Sequence, residues 1–348
     1  MTDSIPHPRD ALFDAGELAP AIPVCDHYCG VEARMRKSLE LQAELGPVFD
    51  VTLDCEDGAP IGGEAAHARM AAEIVASPAN RFDRVGARVH PVDHPSFADD
   101  VATLVNGAGE RIAYLMVPKP RGIDDVQRAC EEIDHQSRVR GLGRAIPVHA
   151  LIETHGALRD VAAIAAHPRI ASLSFGLMDF VSAHRGAIPA KAMGVEGQFA
   201  HPLVLRAKLE IAAACHAFAK TPSHCVVTEF NDADAIAAAA TRASRDFGYT
   251  RMWSIHPKQI VPIVEAFAPS AAELEQAIEI LIAAHDARWA PIRHRHGGRD
   301  TLHDRASYRY YWQLLERAQR TGQPLPTAVR DRFFAPSPLS AHPARADS

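Results

Sequence analysis

The chain of 348 residues has no apolar run approaching the ~20 residues that span a bilayer. Its first residues, MTDSIPHPRD, carry neither the basic start nor the apolar stretch of a secretory signal. The two absences lead to the expectation of a cytoplasmic protein with no membrane partner. Positive charge is not in excess either. Lys and Arg number 37 against 43 Asp and Glu, so the formal net charge is −6 and a nucleic-acid partner is not expected. No C-x-x-C pair occurs among the cysteines Cys25, Cys29, Cys55, Cys130, Cys215 and Cys225. Cys25, Cys55, Cys215 and Cys225 lie in or beside apolar patterns and read as small buried hydrophobes in a reducing compartment. Cys25, His27 and Cys29 form only a loose C-x-x-x-C, a weak metal signal. No G-x-G-x-x-G follows the first strand pattern, so a dinucleotide site has little support.

What is present is a repeated alternation of short apolar runs and longer amphipathic ones. Strand patterns fall at 22–26, 48–54, 85–89, 112–117, 148–152, 170–175, 225–228 and 252–255. A helical pattern follows each: 31–45, 62–76, 97–105, 123–138, 157–166, 202–220, 233–247 and 258–267. Eight such units over about 250 residues predict an α/β fold, a (β/α)8 TIM barrel with additional C-terminal helices. A doubly wound sheet is the rival. Polar residues stand at the carboxyl end of many strands: Glu56, Arg88, Lys119, Glu153, Asp179, Glu229 and His256. A barrel gathers them around one mouth, where an open sheet scatters them. The predicted organisation is a flexible lead-in over 1–20, a catalytic barrel over 21–268, a helical extension over 269–333 and a flexible tail over 334–348. In the extension, Leu274, Ile278, Leu281 and His285 mark one helix face, and the run YRYYW opens another helix. These faces have no barrel role, which points to a subunit interface. The stretch 181–200 is long enough to be a lid loop.

The most informative stretch is 146–180, strand–helix–strand, with Glu153 ending one strand and Asp179 just past the other. Two converging carboxylates share a hard divalent cation or suffer their repulsion; the alternative is a helix cap and a salt bridge. The fork of Arg88 suits a carboxylate, or an ion pair with Glu56 or Glu153 across the mouth. Glu56 is placed to orient a metal-bound water or move a proton, with Asp57 as its rival. Asp54 shares its face deeper in the strand and reads as a structural partner. Lys119 offsets the acids or makes a plain salt bridge. His256 reads first as a packed strand end, and Glu229 or Asp232 as a lid acid. His90 and His94 are separated and followed by prolines, so no helical zinc pair is implied.

LDCEDGAP, ARVHP, LMVPK, LIETHG, SFGLMDF and SIHPKQI occur in this order. Together they resemble the citrate lyase β-subunit-like, CoA-ester lyase branch of the HpcH/HpaI aldolase superfamily, over roughly residues 48–267. The resemblance implies Mg2+, with Mn2+ as a substitute, on Glu153 and Asp179. It implies Arg88 on the substrate carboxylate, Glu56 as the catalytic acid, and substrate contacts at Lys119, Gly176, Leu177 and Met178. The partner would be a small carboxylate or a CoA thioester, and the assembly a homo-oligomer, trimer or hexamer. The implied activity is that of a carbon–carbon lyase. It cleaves or forms a 3-hydroxyacyl-CoA, such as malyl-, citramalyl- or citryl-CoA, through a metal-stabilised enolate. The alternatives are an aldolase releasing pyruvate from a free 4-hydroxy-2-oxo acid, and a non-catalytic barrel subunit of a complex. The chain departs from the family pattern in four places. Its first strand, IPVCDHYCG, lacks the family's Arg, and a Lys is missing near 64–69. Arg251-Met252 replaces G-K, and Glu229-Phe230-Asn231-Asp232 replaces D-F-R-D.

Overall fold

A computed structural model describes residues 5–14, 16–296 and 298–334. The chain divides into two compact units, one of Ala19–Phe267 and one of Met1–Leu18 with Ala268–Ser348.

The first unit is a closed barrel of eight parallel strands in sequence order. They are β1 (Cys25–Cys29), β2 (Phe49–Asp54), β3 (Val85–Arg88), β4 (Leu115–Val117), β5 (Val148–Ile152), β6 (Ile170–Phe175), β7 (Thr221–His224) and β8 (Arg251–Ser254). Alternation along each strand sorts the side chains. Val51, Leu53, Val85, Ala87, Leu115, Val117, Ala150, Ile152, Leu173 and Phe175 join the large apolar cluster that includes the surrounding helices. The alternate set is strongly polar and meets inside the barrel. Thr52 Oγ1 donates to Asp26 Oδ1 (2.7 Å), the Tyr114 hydroxyl donates to the same oxygen (2.9 Å), and Arg251 reaches Asp26 (3.0 Å) and Asp50 (2.6 Å). Only an interior position lets groups from β1, β2, β8 and the start of β4 converge. Above them Tyr28, Met116, Leu151, Val226 and Trp253 form a smaller apolar cluster.

Two strands sit elsewhere than the pattern predicts. β1 begins at Cys25 rather than residue 22, because Pro23 has no N–H to give the ladder. Its carbonyl accepts from Arg251 instead (2.7 Å). β7 is Thr221–His224, paired with Ser172–Ser174 and with Arg251–Met252, while the apolar run 225–227 follows it. Nor is 181–200 without structure of its own. The helix Leu177–Ser182 enters it, 3-10 turns cover Ala190–Met193 and Gly197–Phe199, and Ile188, Ala192 and Phe199 are buried.

The second unit has its own core. The helices Ala271–Asp286, Arg305–Arg320 and Thr327–Phe333 bury Ile280, Leu281, Tyr308, Trp312, Leu315, Val329 and Phe333 together. Pro8–Leu12 is a short helix, and Leu12 and Phe13 complete this core. The basic stretch near 293–305 forms an antiparallel hairpin of β9 (Ile292–His296) and β10 (Arg299–His303). Apart from Phe334, the tail expected over 334–348 lies outside the described residues. All six cysteines are free and buried. Among the described residues no helix is long and apolar enough to cross a membrane.

Candidate active site

The site is built from strand ends. Past β2 the chain turns sharply, and the Asp54 carboxylate holds that turn by accepting from the backbone N–H of Glu56 (3.0 Å) and of Gly58 (2.8 Å). Arg88, the last residue of β3, lays its Nε and Nη2 edge on the same carboxylate at 2.7 and 2.5 Å. Its Nη1 meets Glu56 Oε2 at 3.0 Å. Arg88 is thus ion-paired with both Asp54 and Glu56. Burial alone would raise the Asp54 carboxyl; the Arg88 hydrogen bonds outweigh it and hold it below its ordinary value. Tyr28 packs its ring 5.6 Å from the Arg88 guanidinium and stacks on Trp253 at 4.2 Å.

β4 ends at Val117, and Lys119 follows with a left-handed φ of 48°. That backbone turns the Lys119 N–H onto Glu153 Oε1 at 2.7 Å. Its ammonium sits among acids, 2.5 Å from Glu56, 2.6 Å from Asp57 and 3.8 Å from Asp179. Burial would lower the Lys119 ammonium, but the hydrogen bonds to Asp57 and Glu56 prevail and raise it. Glu153, one residue past β5, is 2 % exposed. Burial first, and then the Asp179 charge, push its carboxyl up to about 8. Gly176 follows β6 where only glycine fits, since a Cβ there would lie 2.1 Å from Glu153 Oε2. The chain then enters the helix Leu177–Ser182, with Asp179 in its first turn.

The barrel thus brings Glu56, Arg88, Lys119, Glu153, Gly176 and Asp179 to one mouth. Of the other two expected substrate contacts, Leu177 packs in the core and the Met178 side chain lies exposed. Glu229 accepts from the Val195 N–H (3.4 Å), so it touches the 181–200 segment. Asp232 caps the helix Ala233–Arg245 through the Ala235 N–H. His256 stacks on Phe230 at 4.7 Å and caps the turn Pro257–Gln259, the packed strand end expected of it.

Sequence reasoning missed Tyr28 and Trp253. They border a cleft of about 800 Å3 that Arg88, Gly30, Arg34 and Lys37 also line. Alternation from Asp26 points to Tyr28 once β1 is placed at 25–29 instead of 22–26. Arg251 was seen only as a departure. It is fully buried between Asp26 and Asp50, and burial pushes Asp50 up to about 6 against the pull of Arg251.

Glu153 and Asp179 suit a divalent cation. Glu153 is buried within the field of the Asp179 carboxylate, and Gly176 lets the Glu153 carboxylate pack against the backbone where any side chain would collide with its Oε2. Among the described residues no group of three or more His, Cys, Asp or Glu is arranged to hold a metal. Two protein carboxylates leave the other positions to water and substrate, as Mg2+ prefers.

Comparison with known proteins agrees with this architecture. The family model for HpcH/HpaI aldolase/citrate lyase matches residues 48–257. An L-malyl-CoA/beta-methylmalyl-CoA lyase of Cereibacter sphaeroides is 27% identical over 292 residues, 78% of this chain and 88% of that protein. A (3S)-malyl-CoA thioesterase of the same species is 27% identical over 263 residues, 75% of this chain and 82% of that protein. The crystal structure of a citrate lyase from Burkholderia xenovorans superimposes with a TM-score of 0.80 at 52% identity, covering 94% of this chain and all of that one. The CitE protein of Mycobacterium tuberculosis, solved with magnesium, acetoacetate and coenzyme A, shares the fold with a TM-score of 0.64 at 21% identity, over 86% of this chain and 99% of that one. With its barrel and its mouth of acids around Gly176, the chain belongs to the HpcH/HpaI aldolase/citrate lyase family and is an enzyme of the carbon–carbon lyase type.

Proposed function

We propose that this protein is a Mg2+-dependent lyase that cleaves or forms a 3-hydroxyacyl-CoA of the malyl, citramalyl or citryl type. The observation that carries the reading is the Glu153–Gly176–Asp179 cradle, where an acid packs against the glycine backbone, its proton affinity raised by burial and by the charge of a second carboxylate. Glu153 and Asp179 would hold the metal, which supplies Lewis-acid stabilisation of the charge developed when a carbon–carbon bond beside a carbonyl breaks. Arg88 binds the substrate carboxylate through its Nη1 side, which it shares with Glu56, since Asp54 already occupies the Nε–Nη2 edge. Glu56 lies between Arg88 and Lys119, within reach of both, and moves the proton there. Tyr28 and Trp253 keep water from one wall of the cleft. Its exposed cations Arg34 and Lys37 suit the anionic groups of a long thioester tail. The malyl-CoA lyase and thioesterase among the relatives support a thioester substrate.

A second reading, a metal aldolase releasing pyruvate from a free 4-hydroxy-2-oxo acid, is favoured by one observation. The first strand lacks the family's Arg, and β1 presents Tyr28 to the cleft. A paired screen with purified protein and Mg2+ separates the two. One arm offers malyl-, citramalyl- and citryl-CoA and follows 2-oxo acid or thioester release; the other offers free 4-hydroxy-2-oxo acids and follows pyruvate. Turnover in the first arm, abolished by chelation, is expected. Turnover only in the second would replace the thioester reading. Calorimetric titration of Mg2+ into wild type and Glu153→Gln tests the cradle, and equal binding by both would remove it.

A further inference from the structure

We infer that Lys119 is a resident cation of the metal site, which occupies the acids when no metal is bound and withdraws from Asp179 when a divalent ion enters. The inference rests on the assignment of Glu153 and Asp179 as the metal holders and concerns what this chain does before the metal arrives.

Three features carry it. The Lys119 ammonium stands within 4 Å of three carboxylates, two from the turn after β2 and one from the helix Leu177–Ser182: Glu56 at 2.5 Å, Asp57 at 2.6 Å and Asp179 at 3.8 Å. It therefore already faces one of the two proposed metal holders. A divalent ion on Asp179 would confront this ammonium across the same carboxylate, and like charges that close repel.

The backbone of Lys119, by contrast, is pinned. Its φ is 48°, its N–H donates to Glu153 Oε1 at 2.7 Å, and the carbonyl of the next residue, Pro120, accepts from Thr154 Oγ1 at 2.5 Å. The anchor to Glu153 therefore survives any movement of the side chain. Only the flexible four-carbon stem has to move, and a lysine stem does so readily.

There is also somewhere for the ammonium to go. Lys119 is partly exposed, at 27 %, and Asp57 on the solvent side is 57 % exposed, whereas Glu56 is 5 % exposed. Withdrawal toward Asp57 keeps one charged partner and gives up the inner ones. The strained φ at a non-glycine residue is what aims both the N–H at Glu153 and the stem into the acids, so one residue serves the metal holder through its backbone and competes with the metal through its side chain.

Two measurements test this on the full chain, neither of them an activity. First, Mg2+ affinity is measured by calorimetry, and Mn2+ affinity by electron paramagnetic resonance, for wild type, Lys119→Met and Lys119→Arg. Lys119→Met removes the competing charge and should bind at least about ten-fold more tightly, because four acids are then left with no internal cation but Arg88. Lys119→Arg keeps the charge and should stay near wild type. Unchanged or weaker binding by Lys119→Met overturns the inference. Second, wild type is pulse-labelled with acetic anhydride with and without saturating Mg2+, and each lysine is read by mass spectrometry. Lys119 should label faster with Mg2+, while Lys37, exposed on the helix Glu32–Leu45, keeps its rate. A Lys119 rate that Mg2+ does not raise overturns the withdrawal, and this arm needs no variant to fold. Failure of wild type to bind either metal overturns the metal assignment and this inference with it, whereas binding without any response of Lys119 overturns the inference alone.

Discussion

Arg88 carries two tasks on one guanidinium. Its Nε–Nη2 edge closes the β2 turn through Asp54, and its Nη1 faces Glu56 in the mouth. Lysine keeps the charge but loses the fork. Arg88→Lys should therefore lower unfolding free energy by about 1.5–3 kcal/mol, the worth of charged hydrogen bonds to a buried group, and lower turnover per folded molecule by a larger factor. Denaturant unfolding read beside kcat/KM separates the two effects; a stability loss with unchanged turnover would make Arg88 purely structural. A second residue-scale expectation concerns pH. Burial depresses His27 to about 4 and holds His149 and His224 well below the ordinary 6.5. Between the folded and unfolded values the unfolded chain binds more protons, so stability falls as pH falls below about 6.5. Asp50, raised to about 6, and Glu153, raised to about 8, work the other way below those values and offset part of the histidines. His149 stacks on Tyr114 at 3.8 Å, and neither of its ring nitrogens has a hydrogen-bond partner in the protein. Phenylalanine fills that space without a titrating group. Melting temperature measured from pH 7.5 to 5 should drop less steeply in His149→Phe than in wild type.

Among the elements, the loops after the strands hold the site by close approach. Gly176→Ala puts a methyl 2.1 Å from Glu153 Oε2 and must push that carboxylate out of the cradle. It should lose Mg2+ binding about as completely as Glu153→Gln while the circular dichroism of the barrel stays the same; retained affinity would show that Glu153 does not need this position. Part of this level was legible in the chain. β2, β3, β5 and β6 fall on their apolar runs because those runs are buried on both faces. β1 and β7 were displaced for a shared reason. Each has a proline nearby, at Pro23 and Pro222, and β7 turns small or polar residues to the barrel, so hydrophobic pattern marks the flanking run instead of the ladder.

For the whole molecule, the second unit changes the argument about assembly. Its helices bury their apolar faces in a core of their own, so they do not require a neighbour for that purpose. Leu12, 283 residues before Arg295 in the hairpin's β9, is nonetheless part of the same unit and fully buried there. Leu12→Ala should cost about 2–5 kcal/mol as a cavity in a small core. Denaturation followed by the fluorescence of Trp312, which packs in that core, should show it. A homo-oligomer remains our proposal. The exposed apolar side chains of this unit, Leu302 at 78 % and Tyr310 at 55 %, are candidates to lie at its interface. Light scattering should give a multiple of the chain mass for wild type and a smaller one for Leu302→Asp with Tyr310→Asp; a monomeric wild type would end the proposal.

From the chain alone came the barrel and the acids that stand at its strand ends. The reason is physical: the period of βα units is local, and a barrel sends every strand end to one rim, so residues at those ends are neighbours whatever their separation in the chain. What stayed hidden depended on contacts across that rim. Asp54 could be assigned a structural role from strand alternation, but that it takes the better edge of Arg88 depends on the side-by-side register of β2 and β3. Lys119 could be seen to face acids, but its place among three of them follows from a left-handed backbone angle that no propensity predicts for lysine. Arg251 looked like a lost family residue until the closing of β8 on β1 set it between Asp26 and Asp50. Local pattern determined which residues reach the mouth; only closure of the barrel decided which of them hold one another.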